Sequence, residues 1–263
     1  MAILNVTPDS FSDGGKFASV EAAVERAAKM IGEGADIIDI GGESTRPGSK
    51  RVSATEEIER VVPVIEAVLK RFEIPISIDT TKPEVAEAAV NAGAKIINDI
   101  SGLRWQPELA DIAARTESGL ILMHSLGTFE TMHTEPPAED ILADVRADFE
   151  RSIQTALKAG VAKENIALDI GIGFGKTFEQ NLELLAKLDK LVAEFKEYPI
   201  VVGASRKSFI GKILGGAETH KRLAGSLAAA VLAITKGASI VRVHDVRETV
   251  DALKIAKAIR QNT

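Results

Sequence analysis

The chain has 263 residues, of which 45% are hydrophobic and 27% are charged, a composition that is typical of a globular protein with a large core and excludes a disordered chain. Its net charge of −6 argues against broad binding to nucleic acids or anionic membranes, because both depend on an excess of Lys and Arg. The absence of cysteine excludes disulfides and thiolate metal sites, and a cytoplasmic protein is expected, since no apolar run approaches the roughly 18 residues of a membrane span and the N-terminus has no signal-peptide pattern.

Short β-branched runs alternate with longer segments of helical period, a pattern typical of parallel strands joined by helices. The predicted strands cover residues 2–6, 36–40, 75–79, 94–99, 119–123, 165–169, 199–203 and 239–243. The predicted helices cover residues 19–34, 54–72, 82–93, 107–118, 138–160, 179–195, 221–237 and 246–262. Eight such pairs predict an α/β fold, a (β/α)8 TIM barrel, as a single domain over residues 1–263. The active site of such a barrel lies in the loops after the carboxyl ends of the strands.

The glycine-rich stretch LDIGIGFGKT, residues 168–177, follows the sixth predicted strand and looks at first like a nucleotide-binding loop. A P-loop would need glycine where Ile170 stands, and a dinucleotide fingerprint would need a small residue in place of Lys176. Neither spacing is met. The interest of the stretch therefore lies in Asp169, at the strand end.

Polar side chains stand at the carboxyl ends of most predicted strands. The residues at these ends are Asn5, Asp39, Asp79, Asn98, Met123, Asp169, Gly203 to Lys207, Arg242 and His244. A carboxylate in a barrel mouth costs free energy unless it finds donors, and any one of these residues alone could be a structural cap. Asp79, Asn98 and Asp169 together could match a flat ligand edge rich in N–H donors, such as that of a pterin or a purine.

Cationic residues follow the last two predicted strands: Arg206 and Lys207 after strand seven, Arg242 and His244 at the end of strand eight. The loops at this place are the recurrent phosphate site of TIM barrels, so an anionic group is expected to bind there. Taken singly, Arg206 could form a solvated ion pair, and His244 could be a polar residue at a helix N-terminus.

The loops after strands one and two are far longer than the roughly 2–6 residues usual between a strand and a helix. They read NVTPDSFSDGGKF and GGESTRPGSKRVS, and we expect them to be lids or binding loops. Arg46 offers a further cation near the mouth, while Phe11 and Pro47 offer apolar surface. The alternative is a pair of plain surface loops, in which Asp9, Asp13 and Glu43 are only turn residues.

Eight motifs spread over essentially the whole chain occur together: ILNVTPDSFSDGG, DIGGESTRPG, SIDTTKPEV, IINDISG, LMH, GIGFGKT, GASRKSFIG and VRVHDV. In this order they resemble the dihydropteroate synthases of the folate pathway. The resemblance implies a pterin-binding TIM barrel that condenses 6-hydroxymethyl-7,8-dihydropterin pyrophosphate with 4-aminobenzoate, giving 7,8-dihydropteroate and pyrophosphate, with magnesium accompanying the pyrophosphate. It also implies competition by sulfonamides, which mimic 4-aminobenzoate.

The resemblance further implies roles for individual residues. The implied catalytic residues are Asp79, Asp169 and Lys207. The implied substrate-binding residues are Asn98, Met123, Phe174, Gly203, Arg242, His244, Arg46, Thr45, Pro47, Phe11 and Ser208, and Asn5 is the implied contact to magnesium. Among them, the acids and Asn98 hold the pterin edge, and Met123 and Phe174 line its slot. Asn5, Arg242 and His244 grip the pyrophosphate, with Arg46 joining them. Thr45, Pro47, Phe11 and Ser208 shape the aminobenzoate pocket.

The chemistry implied is dissociative. Pyrophosphate becomes a good leaving group once magnesium and cations neutralise it, and the electron-rich dihydropterin can stabilise the exocyclic cation left behind. Asp79 and Asp169 would be electrostatic partners of that cation, and the neutral amine of 4-aminobenzoate would attack without a strong general base. Two departures from the usual family pattern, Ile170 and the pair Ser125-Leu126, leave the named site residues intact.

Two other functions compete with this one. A barrel that transfers a methyl group from a folate to a corrinoid protein would share the acids and the asparagine, but it has no need of Lys207, Arg242 and His244. A folate-binding protein without activity would be expected to lack a charged group, and none is missing.

The seventh predicted helix is apolar around most of its circumference, which suggests that its outer side is covered as well. The sequence therefore predicts a homodimer through helices seven and eight, with small-molecule substrates as the other partners.

Overall fold

The structure is a computed structural model that describes residues 1–7, 16–45, 49–132 and 134–261. Within these ranges the chain forms eight strands: β1 (Ala2–Asn5), β2 (Ile38–Gly41), β3 (Ile76–Asp79), β4 (Ile96–Asp99), β5 (Gly119–Met123), β6 (Ile166–Asp169), β7 (Ile200–Val202) and β8 (Ile240–Val241). The ends of each predicted strand differ from these bounds by at most two residues. All eight predicted strands are therefore confirmed.

The strands form one parallel sheet in chain order, β1 to β8. The last strand returns to the first, because Ala2 forms a parallel bridge with Val243. The Ile3 amide donates to the Val243 carbonyl over 3.0 Å, and the Val243 amide donates to the Met1 carbonyl over 3.0 Å. These bonds close the sheet, which confirms the predicted (β/α)8 barrel.

In the described ranges, ten α-helices surround the strands. They are α1 (Lys16–Gly32), α2 (Ala54–Leu69), α3 (Pro83–Asn91), α4 (Glu108–Thr116), α5 (Ile141–Lys158), α6 (Phe178–Ala186), α7 (Leu188–Glu194), α8 (Ser208–Ile213), α9 (Leu223–Thr235) and α10 (Val246–Arg260). Side chains cap the starts of three of these helices: Ser53 accepts from the Glu56 amide at α2, Asp140 accepts from the Leu142 and Ala143 amides at α5, and Thr177 forms a capping box with Gln180 at α6. In the part of the chain that the structure describes, none of these helices combines the length and apolarity needed to cross a bilayer.

Two helical predictions need correction. The segment 179–195, predicted as one helix, forms α6 and α7 with a break at Lys187. The six-residue helix α8 was not predicted, because a segment of that length is too short to show a helical period. The seventh and eighth predicted helices correspond to α9 and α10.

The barrel interior has an apolar lower layer and a polar upper layer. The lower layer consists of Met1, Ile37, Ile96, Ile121, Ala167, Val201 and Ile240. Successive side chains of a strand point to opposite faces, so residues two positions further along face the same interior. On six of these strands they are Asp39, Asn98, Met123, Asp169, Gly203 and Arg242. Four of the polar residues predicted at the strand ends, Asp39, Asn98, Asp169 and Arg242, thus lie in the upper layer of the barrel interior. A larger apolar core fills the space between strands and helices.

Candidate active site

The strand register sets the predicted polar residues side by side at the mouth of the barrel. Asn5 pairs with Gly41, Gly41 pairs with Asp79, and Asp79 pairs with Asn98. Across the barrel, Met123 of β5 pairs with Asp169 of β6. Residues that are far apart in the chain therefore end at one level, because neighbouring parallel strands stop together.

Arg242 joins three strands of this ring. Its Nε donates to Oδ2 of Asp39 over 2.6 Å, and its Nη2 donates to Oδ2 of Asp79 over 2.6 Å. Asp39 is fully buried and also accepts from Nδ2 of Asn98 at 3.3 and 3.4 Å. Asp39 thus fixes the side chains of both Arg242 and Asn98 from below.

The charges in this network act on one another. Burial raises the pKa of the Asp79 carboxyl to about 7, with Arg242 lowering it and Asp39 raising it further. Burial opposes the charge of Arg242, but the carboxylates of Asp39 and Asp79 outweigh it and raise the pKa of the guanidinium. Arg242 therefore stays cationic, while Asp79 is close to its midpoint at neutral pH.

Asp169 is held at the start of the glycine-rich turn. Its side chain is buried, and its Oδ1 accepts from the Gly171 amide over 2.7 Å. Burial raises the pKa of its carboxyl, against the Gly171 amide and the charges of Arg242 and Lys207. At Gly171 the backbone has φ +63° and a Cβ would lie 1.8 Å from the His124 carbonyl oxygen, so only glycine fits this close approach. The glycines of this turn thus let the backbone pass close to the end of β5.

Lys207 and Phe174 meet over the mouth, with the Lys207 ammonium 4.0 Å from the centre of the Phe174 ring. Burial lowers the pKa of Lys207 to about 8, helped by Arg242 and opposed by Asp169 and Asp79. Phe174 and Met123 belong to an apolar cluster completed by Ile100, Trp105, Phe129 and Met132. An apolar wall thus stands beside the buried acids, an arrangement that can bind a flat ring by its face and by its N–H edge.

The cationic side of the mouth differs from expectation in one respect. His244 lies against Ser205, whose Oγ is 3.1 Å from its Nδ1 and accepts from its backbone amide over 3.2 Å. Burial lowers the pKa of His244 to about 4, helped by Arg206 and Arg242. His244 is therefore a neutral hydrogen-bonding group at neutral pH rather than a cation. Arg206 is paired with Asp245 through both Nε and Nη2, so among the described residues Lys207 and Arg242 are the cations aimed at the mouth.

The remaining predicted residues divide into two sets. Phe11, Arg46 and Pro47 lie outside the described residues. Thr45 is half-buried after β2, and Ser208 is exposed as the first residue of α8. Gly203 lies between the charged groups: a Cβ there would be 3.8 Å from Cβ of Arg242 and 3.9 Å from Oδ2 of Asp169.

The described residues offer few protein ligands for a magnesium ion. Within the described ranges, no group of three Asp, Glu, His or Cys side chains is placed to hold a metal ion. Asn5, at the end of β1, offers one amide oxygen next to Gly41. Magnesium often takes one or two protein oxygens and completes its shell with water and substrate phosphates, and Asn5 suits that mode of binding.

Three residues that matter in this geometry have no role predicted from the sequence: Asp39, Ser205 and Lys176. Asp39 was noted at a strand end, and its inward position two residues after Ile37 is the signal that it lies in the barrel. Ser205 contacts His244, and Lys176 donates to the carbonyls of His124 and Phe174 over 3.2 and 3.1 Å. The contacts of Ser205 with His244 and of Lys176 with His124 join residues that are far apart in the chain, so no local pattern reveals them.

Comparison with known proteins agrees with this geometry. The family of pterin binding enzymes matches residues 1–244 of the chain. The dihydropteroate synthase of Escherichia coli strain K12 is 50% identical over 260 residues, covering 98% of this chain and 90% of that protein. A crystal structure of dihydropteroate synthase from Clostridium difficile in the presence of pteroic acid has a TM-score of 0.92 and 46% identity, covering 98% of this chain and 95% of that one. A Yersinia pestis dihydropteroate synthase in a complex with a sulfonamide drug has a TM-score of 0.91 and 45% identity, covering 100% and 94%.

Proposed function

The chain belongs to the pterin-binding enzymes and, within them, to the dihydropteroate synthases, and from this premise we propose which of its side chains carry the reaction. The reaction is the condensation of 6-hydroxymethyl-7,8-dihydropterin pyrophosphate with 4-aminobenzoate to 7,8-dihydropteroate and pyrophosphate, a transferase step of folate biosynthesis. The observation that carries the assignment is the convergence of Asp79, Asn98 and Asp169 with Arg242 and Lys207 in one mouth.

Asp79, Asn98 and Asp169 bind the N–H edge of the pterin in this proposal. Carboxylates accept paired hydrogen bonds from amidine-like groups, and the asparagine amide supplies both a donor and an acceptor. The ring face lies against Met123 and Phe174, which belong to one apolar cluster. Lys207 closes the slot from above, since its ammonium lies over the Phe174 ring.

Arg242 and Lys207 hold the pyrophosphate, with His244 and Asn5 as neutral hydrogen-bonding partners and Arg46 as a further cation. Arg242 donates from Nε and Nη2 to the two aspartates. Within the described residues no partner accepts from its Nη1, so this nitrogen is available to donate to a bound anion. Magnesium, when bound with the substrate, would neutralise pyrophosphate charge beside Asn5.

The reaction then follows from the charges of the site. The bond between the exocyclic carbon and the pyrophosphate oxygen breaks, and its electron pair leaves with pyrophosphate, which the cations stabilise. Asp79 and Asp169, at the N–H edge of the ring, stabilise the positive charge that spreads over the pterin. The amine of 4-aminobenzoate forms the new C–N bond and releases a proton to solvent. Thr45, Pro47, Phe11 and Ser208 shape the pocket for this second substrate, where sulfonamides would compete.

The test is pyrophosphate release that depends on both 4-aminobenzoate and magnesium. We expect release from the wild-type enzyme, and a fall in kcat/KM of roughly 100-fold or more for Asp169→Asn, because a buried electrostatic partner of the cation is lost. Asp111→Asn, at an exposed position on α4, is the matched control and should behave as wild type. No release from the intact pterin diphosphate would refute the proposal.

We also propose that the enzyme is a homodimer through α9 and α10. These helices pack on each other and leave large apolar side chains exposed, with Leu232 58% and Ile255 65% accessible. Apolar surface of this kind is typical of a protein interface. The mass in solution at micromolar concentration should be that of two chains and should fall to one chain in Leu232→Glu/Ile255→Glu; a monomeric wild type would contradict the proposal. The cytoplasmic location stays a prediction, which cell fractionation would test.

A further inference from the structure

A buried ionic triad lies beside the site and has no part in the chemistry described so far. It consists of Glu43 after β2, Glu57 on α2 and Lys82 just before α3. The Lys82 ammonium donates to Oε1 of Glu43 over 2.9 Å and to Oε2 of Glu57 over 2.5 Å. The three side chains are 8%, 1% and 12% exposed for Glu43, Glu57 and Lys82 respectively. Three charges are thus removed from water at the junction of three elements.

Glu43 also closes the second loop, which we define as residues 42–52. The Val52 amide donates to the same Oε1 of Glu43 over 2.7 Å. A second bond between the two sides of the loop runs from the Ser49 hydroxyl to the Ser44 hydroxyl over 2.8 Å. The start and the end of the loop are therefore tied together at a neck, and α2 begins immediately after it with its cap Ser53.

Lys82 connects this neck to the pterin-binding strand. It lies three residues after Asp79, and its amide donates to the Thr80 hydroxyl over 3.2 Å. A short stretch of backbone thus carries both Asp79 and the cation that holds Glu43. The distance between the predicted pterin edge and the neck of the second loop is set by this stretch.

The energetics show that the triad is not the simplest way to stabilise the fold. Burial raises the pKa of Glu57, against the ammonium of Lys82. Oε1 of Glu57 is buried and forms no hydrogen bond within the described residues. Buried ion pairs often add little stability compared with apolar residues of the same size, and their best-attested use is to fix one arrangement among several.

We propose that Lys82 is a positioning residue for the second substrate, holding the neck of the second loop through Glu43, two residues before Thr45. The inference rests on the proposed function, in which Thr45 shapes the pocket for 4-aminobenzoate. Anchoring the neck restricts the positions that Thr45 can take, and the rate of the reaction depends on how the second substrate is oriented.

The first test compares Lys82→Met with Lys82→Arg in steady-state kinetics. In Lys82→Met the neck loses its anchor, and we expect kcat/KM for 4-aminobenzoate to fall roughly 10- to 100-fold, since small misplacements of a reacting group cost this much. The dissociation constant of 6-hydroxymethylpterin, measured by calorimetry, should stay within about twofold, because Asp79, Asn98 and Asp169 are unchanged. Lys82→Arg keeps the cation and should recover most of the activity, and Lys95→Met, at an exposed position, is the control.

A second measurement does not depend on catalysis. Trypsin can cut after Lys50 and Arg51, both exposed and next to the neck. We expect these cuts to be several-fold faster in Lys82→Met than in Lys82→Arg, together with faster hydrogen exchange of the Val52 amide. If Lys82→Met does not fold, Glu57→Gln/Lys82→Met removes one of the two carboxylates left without a cation and is measured in its place, with the same expectation.

Three results would overturn the inference: unchanged kinetics with 4-aminobenzoate in the variant that lacks Lys82, an equal loss of pterin binding, or an unchanged rate of cutting. A wild-type enzyme that releases no pyrophosphate would instead refute the proposed function, and the proteolysis and exchange data would still decide whether Lys82 anchors the loop.

Discussion

At the scale of single residues, the charges of the site are set by burial and by neighbouring charges together. Asp79 has a pKa of about 7 and Lys207 one of about 8, each shifted first of all by burial. Arg242, between Asp39 and Asp79, stays protonated throughout the accessible pH range. Among the described residues of the mouth, Arg242 therefore keeps its charge, while Asp79 and Lys207 titrate near neutrality.

These two titrations predict a bell-shaped pH dependence of kcat/KM for the pterin diphosphate. Activity should rise through about pH 7 as Asp79 becomes an acceptor for pterin N–H groups, and fall above about pH 8 as Lys207 loses the proton that attracts the pyrophosphate. Lys207→Arg should move the alkaline limb to higher pH by at least about one unit, because a guanidinium keeps its proton. The pH profiles of kcat/KM for the wild type and for Lys207→Arg test this prediction. If the alkaline limb were the same in both, a group other than Lys207 would cause it.

Lys176 carries a second prediction at this scale. Burial lowers its pKa to about 7, and its ammonium donates to the carbonyls of His124 and Phe174. Lys176→Met leaves both carbonyls without their donor, so we expect a loss of about 1–2 kcal/mol in the free energy of unfolding and a KM for the pterin diphosphate raised roughly tenfold, as the Phe174 wall loosens. Urea unfolding and steady-state kinetics measure the two effects. Lys190→Met, at an exposed position on α7, is the control and should change neither quantity. If Lys190→Met raised KM as much as Lys176→Met, the role given to the Lys176 hydrogen bonds would be refuted.

At the scale of elements, the turn between β6 and α6 has a tightly constrained backbone. Gly171, Gly173 and Gly175 all have positive φ, and Asn181 of α6 accepts from the Gly173 amide over 2.6 Å. The turn therefore leaves the strand, passes close to the end of β5 and is held from the following helix. This path brings Phe174 over the mouth.

Gly171→Ala tests how tightly the turn is packed. A methyl group at Gly171 would lie 1.8 Å from the His124 carbonyl oxygen, whereas one at Gly215, which has a similar φ of +68°, would meet nothing within 4 Å. Both substitutions place alanine in the left-handed region, which costs about 1 kcal/mol of conformational free energy. Only Gly171→Ala adds a clash with the backbone. We expect Gly171→Ala to lose at least about 2 kcal/mol more than Gly215→Ala in urea unfolding, together with most of the activity. Equal losses would mean that the turn can move away from β5.

At the scale of the whole molecule, the backbone bonds that close the barrel lie next to the side-chain bonds that shape the site. β8 has only two residues, and Arg242 follows it directly, reaching β2 and β3 through Asp39 and Asp79. The ends of the sheet are thus joined by backbone bonds near Val243 and by a buried ionic network above them. Closure of the barrel and shape of the mouth depend on one another.

Arg242→Met should therefore destabilise the protein in a pH-dependent manner. The folded pKa of Asp79 is already raised above its unfolded value of 3.8, so the folded state binds the additional proton and stability falls as pH rises through the folded pKa. Without Arg242 this pKa rises further, and two buried carboxylates lose their cation. We expect a loss on the order of 3–5 kcal/mol at pH 8 and a smaller one at pH 5.

Thermal unfolding measures this difference, because each kcal/mol of lost stability lowers Tm by roughly 2–4 °C for a chain of this size. The control is Arg115→Met, which removes a solvent-exposed pair with Glu87 and should have little effect at either pH. A loss for Arg242→Met that is the same at both pH values would contradict the charge argument. One cooperative transition would also agree with the single domain predicted over residues 1–263.

The sequence by itself determined the order and type of most elements, since strand and helix periods are local properties that each segment carries. It also determined that Asp79, Asn98, Asp169 and Arg242 would share a mouth, because the strands of a parallel barrel all end on one side. The division of residues 179–195 into two helices and the short α8 were missed, since neither leaves a clear period.

Only the tertiary structure decided what the charges do. The pairing of Arg242 with Asp39, the neutral state of His244 and the triad around Lys82 all depend on contacts between residues distant in the chain. The pKa of a buried group is a sum over such contacts and over lost hydration, and neither quantity is written in any local pattern. The sequence therefore specifies which groups reach the mouth, and the packing of the barrel specifies their charge and orientation.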